Sequence, residues 1–184
     1  MTAKLNGYDN LMKNIKSTIY EGILKLGIVK GESFGIYYEL DLLNYLLGTD
    51  TMNAESMLEN LKDFTDFSNA LFIPMTIRRE GSRFRFIVSG EGVEQISKDT
   101  SSTDFLKNLI DLVNTHKFDL NQVQKVFEAS GQTYSCKGVD NPEFEYVFSF
   151  SDNDFDPFFY CFHIGQGHSH YHRLLEFSYR KLFS

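Results

Sequence analysis

The chain has no tryptophan, only two cysteines and no run of about 18 apolar residues long enough to span a bilayer. Two thiols, Cys136 and Cys161, are too few to staple a fold, so stability must come from apolar burial. The opening residues, MTAKLNGYDN, hold no apolar signal region. With no membrane segment in view, a cytoplasmic protein with reduced thiols is the expectation. Three catalytic signatures are also missing: the phosphate-cradling G-x-x-x-x-G-K-[ST], the dinucleotide G-x-G-x-x-G and the nucleophile-elbow G-x-S-x-G. No catalytic residue can be assigned, and a non-enzymatic role is expected. An overall basic charge is lacking too. The net charge of −7 keeps the chain soluble and, averaged over its surface, repels phosphate backbones.

What is present is a globular composition: 184 residues, 42% apolar and 15% aromatic, enough for one large domain or two small ones. Tyr8, Leu11, Met12, Ile15, Ile19, Ile23 and Leu26 draw one stripe down a helix, with Gly27 at its C-terminal end. A β-prone run follows at Phe34–Tyr38. A compact helix spans Leu40 to Leu47, stopped by Gly48. A third helix starts at Asn53 as N-cap, with Ala54, Met57, Leu58 and Leu61 inward. Leu71 to Ser89 reads as a β-hairpin turning at Gly81-Ser82, with Glu80 opposite Arg83, and a short helix at Glu91–Ile96 closes the segment. Helix, strand, helix, helix, hairpin is the order of a winged helix-turn-helix, which assigns residues 1–97 to a winged-helix-like unit.

A winged helix suggests nucleic acid, and the wing offers Arg78, Arg79, Arg83 and Arg85 as contacts. Charge argues the other way for the third helix, whose solvent side carries Glu55, Glu59, Asn60, Lys62, Asp63 and Asp66. Helices that enter a major groove normally present lysine and arginine to the phosphates. Residues 1–100 hold 11 basic against 14 acidic side chains. An edge hairpin charged to discourage strand pairing explains the arginines equally well. The expectation is a regulatory or interaction module that binds a protein partner, with DNA as one version.

Lys98–Thr103 is a short polar connector, which implies that residues 103–184 pack against the first part. Phe105, Leu106, Leu109, Ile110 and Val113 form one helical face capped by Ser102 or Thr103. A second helix starts at Asp119, places Leu120, Val123, Val126 and Phe127 inward, and ends before Gly131. Three β-prone runs follow, Thr133–Val139, Phe144–Phe150 and Phe158–Ile164, as an antiparallel meander whose middle strand has one buried face. A last helix is expected over Leu174–Phe183. The fold class is α+β.

Versatile side chains gather in DPFFYCFHIGQGHSHYHR, residues 156–173. Cys161 and His163 are two apart, as are His168, His170 and His172, so on strands each set shares a face. With an even number of residues in the turn, His163 faces His170 and Cys161 faces His172. These four are candidate ligands for zinc, with Asp156 as a further candidate, and make a metal-binding protein or metal-dependent enzyme the alternative to the interaction module. With Gly165-Gln166-Gly167 alone in the turn, the two sets point to opposite faces. Their spacing matches no standard zinc pattern, and ordinary hydrogen bonding along a half-buried hairpin explains them as well. Asp152, Asp154 and Asp156 have the spacing that starts a calcium loop, but Pro157 occupies the position that needs glycine. Cys136, His116 and Asp140 have no spacing that makes them a triad.

FGIYYELDLLNYLLG, EGVEQI, FEYVFSFSD, and above all DPFFYCFH followed by YHR, resemble an uncharacterised family of bacterial proteins classed as a domain of unknown function. Asp156-Pro157, Tyr160-Cys161 and Tyr171-His172-Arg173 carry most of the likeness, which covers nearly the whole chain. It implies no activity, cofactor or site residue.

Overall fold

In this computed structural model the described residues are 2–26, 31–99 and 104–184. They form an α+β chain with two antiparallel sheets, and the chain divides into two compact units, Met1–Ser101 and Ser102–Ser184. Among the described residues no helix is long and apolar enough to cross a membrane.

The first unit runs α1 (Thr2–Leu26), β1 (Phe34–Glu39), α2 (Leu40–Leu47), α3 (Ala54–Ala70), β2 (Met75–Glu80), β3 (Arg83–Val88) and α4 (Gly90–Asp99). The apolar stripe of α1 is its core face: Tyr8, Leu11, Met12, Ile15 and Ile19 are all buried. Gly48 stops α2 in the left-handed conformation, φ 67°, which glycine adopts without steric cost. Asn53 caps α3 by accepting the Ser56 N–H at 2.9 Å. The helix buries Met57, Leu61, Phe64 and Ser68, nine residues beyond the last inward position the sequence singles out being still helical. The sheet has order β1-β3-β2. Glu80 pairs with Arg83 across the turn, where Gly81 alone takes a positive φ. Leu71 to Pro74 are not strand. Leu71 closes α3, and Phe72 turns the chain in the left-handed region at φ 60°.

The second unit runs α5 (Asp104–Val113), α6 (Leu120–Ala129), β4 (Tyr134–Gly138), β5 (Tyr146–Phe150), β6 (Phe158–Ile164), β7 (Ser169–Leu175) and α7 (Glu176–Phe183). Its sheet is a meander, β4-β5-β6-β7, one strand more than the three β-prone runs. On one face Phe127 of α6 meets Phe148 and Phe150 at ring centroids of 4.6 and 5.1 Å, and Phe105 of α5 meets Tyr160 at 5.7 Å. On the other face Tyr179 of α7 stacks on Phe159 at 4.2 Å, over a buried cluster of Phe144, Val147 and Cys161.

Three further expectations change. The middle strand is covered on both faces, because Phe144 leaves the strand and folds with α7 over Val147. Leu174 and Leu175 belong to β7, paired with Phe159 and Phe158, so α7 starts two residues late. Lys98 and Asp99 continue α4, so they are not connector residues. Gly27, the cap candidates Ser102 and Thr103, and residues 100–103 lie outside the described residues.

Candidate functional site

The register of β6 and β7 decides how the chemistry-bearing residues meet. Ile164 pairs with Ser169, leaving a four-residue turn, Gly165 to His168. An even turn puts His163 opposite His170 and Cys161 opposite His172, on the sheet face that also carries Phe144. Gly165 makes the turn compatible with its neighbours: a Cβ there would lie 2.8 Å from His163 Nε2. The imidazole of His163 therefore folds back over the glycine.

The arrangement extends beyond the hairpin. His170 is central, with ring centroids 5.0 Å from His163, 5.8 Å from His168 and 6.2 Å from His172. His168 in turn stacks on His116 at 5.2 Å and 13°. All five histidines of the chain thus occupy one corner of the second unit. His116 lies in the α5–α6 loop with a left-handed backbone, φ 54°, and that loop is tied to the start of β7. The Ser169 N–H donates to the His116 carbonyl at 2.9 Å, and the buried Ser169 hydroxyl donates to the Phe118 carbonyl at 3.0 Å. Desolvation lowers the pKa of His170, and His163, His172 and His168 push the same way, against a raising effect of Glu143.

Cys161 is on the histidine face but sealed from solvent. Burial pushes its thiol pKa up to about 12, so at neutral pH it is a protonated thiol, the poorer form for binding a metal. Among the described residues no three His, Cys, Asp or Glu side chains are grouped to hold a metal ion. Asp156 does not join the histidines. It lies at the other end of β6, where its Oδ2 accepts the Tyr160 hydroxyl at 2.7 Å and its Oδ1 accepts the Phe158 N–H at 2.9 Å. Asp152 serves the turn before it by accepting the Asp154 N–H. Cys136 is a strand residue paired with Phe148.

Arg78, Arg79, Arg83 and Arg85 divide between the two faces of the β1-β3-β2 sheet. Arg78 and Arg85 are cross-strand partners and Tyr37 is the partner of Arg85 on the other side, so the three share the exposed sheet face with Arg83. The Arg83 and Arg85 guanidinium carbons lie 4.6 and 5.7 Å from the Tyr37 ring centroid. Glu80 accepts from the Tyr37 hydroxyl at 3.0 Å and from Arg85 at 3.3 Å, and those hydrogen bonds, Tyr37 first, lower its pKa. Arg85 Nε is buried without a hydrogen-bond partner. Arg79 points the other way and pairs with Glu55 of α3 at 2.8 Å. Tyr37 is the member that charge counting missed; its one-residue alternation with the inward Ile36 and Tyr38 is the signal that would have found it.

Comparison with known proteins adds one match. No curated protein and no solved structure matches the chain. A family model, described as a domain of unknown function from E. rectale (DUF3877), matches residues 8–183. The histidine corner and both sheets fall inside that match, and the chain belongs to the DUF3877 family.

Proposed function

We propose that the chain is a non-enzymatic interaction module of winged-helix type, cytoplasmic and regulatory, that engages a protein partner through the exposed face of the β1-β3-β2 sheet. The element order of the first unit and the strand order β1-β3-β2 support the winged-helix reading. The observation that carries the functional reading is the clustering of Arg83 and Arg85 over Tyr37, with Arg78 beside Arg85 on the same exposed sheet face. Arginine and tyrosine are the side chains that most often anchor interfaces, because each brings a rigid flat surface with polar edges. Glu80 and Glu39 interrupt the positive charge on that face, which suits a mixed protein surface better than a phosphate backbone. The exposed side of α3 is acidic at Glu55, Glu59 and Asp63, so groove docking by that helix is unfavourable.

The test compares partner capture by three purified forms: the unaltered chain, a Tyr37→Ala/Arg83→Ala variant and a Glu55→Ala/Glu59→Ala variant. A partner retained by the α3 variant and lost by the sheet variant is expected. Equal retention by both sinks the reading. Fluorescence anisotropy with a short random duplex checks the other macromolecule class. Affinity that falls steeply between about 50 and 200 mM salt, and that Arg83→Ala weakens, would make the partner nucleic acid.

A further inference from the structure

We propose that the exposed face of the β1-β3-β2 sheet receives an extended acidic segment of the partner, laid along β3 with carboxylates at Arg83 and Arg85 and an apolar residue at Ile87. The inference rests on the reading that this face engages a protein, and it names what that protein presents. β3 is the middle strand of the sheet, and Arg83, Arg85 and Ile87 are its outward residues. Successive outward positions on a strand are about 6.6 Å apart, and an extended segment carries its own alternate side chains at the same spacing. Acidic, acidic, apolar at every second residue is the pattern that matches. Ile87, half-buried at the far end of the row, offers apolar surface and no charge.

The arginines of this face are short of acceptors. Among the described residues Arg78 and Arg83 make no ion pair or hydrogen bond, although Glu80 and Glu39 are the cross-strand neighbours of Arg83. Glu80 is already committed to the Tyr37 hydroxyl and to Arg85 Nη1. Arg83 lies over the Tyr37 ring at 4.6 Å, and a stacked guanidinium presents its N–H edge to a planar carboxylate. Arg85 has its Nε buried with no acceptor, settled against Gly35, where a Cβ would stand 3.4 Å away. Arg78 is directly opposite Arg85. Like charges in that position destabilise a sheet, and a carboxylate seated between the two turns repulsion into attraction. With a net charge of −7 the chain repels acidic segments on average, so this face is a local exception.

The test titrates the full chain into a fluorescein-labelled peptide, GSETETVSG, and into its glutamine version, GSQTQTVSG, by fluorescence anisotropy at about 50 mM salt, where surface charge is weakly screened. Two exposed charge pairs are worth roughly tenfold, so the glutamate peptide is expected to bind about ten times more tightly. Arg83→Gln and Arg78→Gln are each expected to weaken the glutamate peptide about fivefold and leave the glutamine peptide unchanged. Arg79→Gln, on the other face, is expected to change neither. All three side chains are exposed, so the variants keep the fold. A glutamate peptide that does not bind, or binds no more tightly than the glutamine peptide, overturns the acidic segment. If Tyr37→Ala/Arg83→Ala still abolishes partner capture in that case, the face stands as an interface and only this inference falls. Equal losses with Arg79→Gln and Arg83→Gln overturn it too. So does a random duplex that displaces the bound peptide at lower concentration than unlabelled peptide, which would make phosphate the ligand.

Discussion

Tyr160 is wholly buried, and its hydroxyl is tolerable there because Asp156 accepts it at 2.7 Å. Burial comes first among the causes that raise its phenol pKa, with the Asp156 charge next, so it stays a neutral donor. The two substitutions at this pair are not equivalent. Tyr160→Phe removes the donor and leaves Asp156 with the Phe158 N–H, whereas Asp156→Ala strands a buried hydroxyl and a backbone donor together. Urea denaturation is expected to give a loss of about 1 kcal/mol for Tyr160→Phe and roughly 2–3 kcal/mol for Asp156→Ala. Equal losses would contradict the pairing. At this scale the sequence is ambiguous for a simple reason. Aspartate at 152, 154 and 156 has the same spacing whether it serves an ion, a turn or a tyrosine, and only the direction of the chain after Pro157 decides which.

Among the elements, α6 has the best-defined start. Asp119 accepts the Gln122 N–H at 2.8 Å and the Gln122 side chain accepts the Asp119 N–H at 2.9 Å, a reciprocal capping box. Asp119→Ala is expected to cost about 1 kcal/mol in the unfolding of the second unit, and Asp119→Ser only a fraction of that. Thermal denaturation followed by circular dichroism checks both, and a neutral Asp119→Ala would show the box to be idle. This cap is legible in the sequence because its chemistry is local. The hairpin of β6 and β7 is less so. His170 and His172 are not strand-formers by propensity, and β7 exists because seven backbone pairings to β6 and the buried Ser169 and Tyr171 hold it. The second buried face of β5 is hidden for the same reason: what covers Val147 is Phe144, three residues back, and α7, some thirty residues on. Likewise the turn parity of residues 165–168 follows from the Ile164–Ser169 pairing, a property of two strands together.

At the scale of the whole molecule, each unit closes a core of its own. In the first, Phe64 packs against Tyr8 at 5.5 Å and Phe86 at 6.3 Å, drawing α1, α3 and β3 together. In the second, Phe127 packs against Phe105, Phe148, Phe150 and Tyr160, all within 5.6 Å. Neither ring has exposed surface, so truncating either leaves a cavity costing roughly 3–5 kcal/mol. Helical periodicity and β-alternation made the α+β class legible along the sequence, because both follow from backbone geometry repeated over many residues. Cooperativity is a different property, set by where the cores lie. Two separate cores predict two unfolding transitions, each answering to its own substitution. Phe64→Ala is expected to lower one transition and leave the other in place, and Phe127→Ala to do the reverse, in differential scanning calorimetry of the full chain. A stability change of that size in a unit of this length moves its midpoint by well over 10 °C, on the scale of about 4–8 °C per kcal/mol, so the two variants are readily told apart. A single transition lowered alike by both would mean that the two cores melt as one.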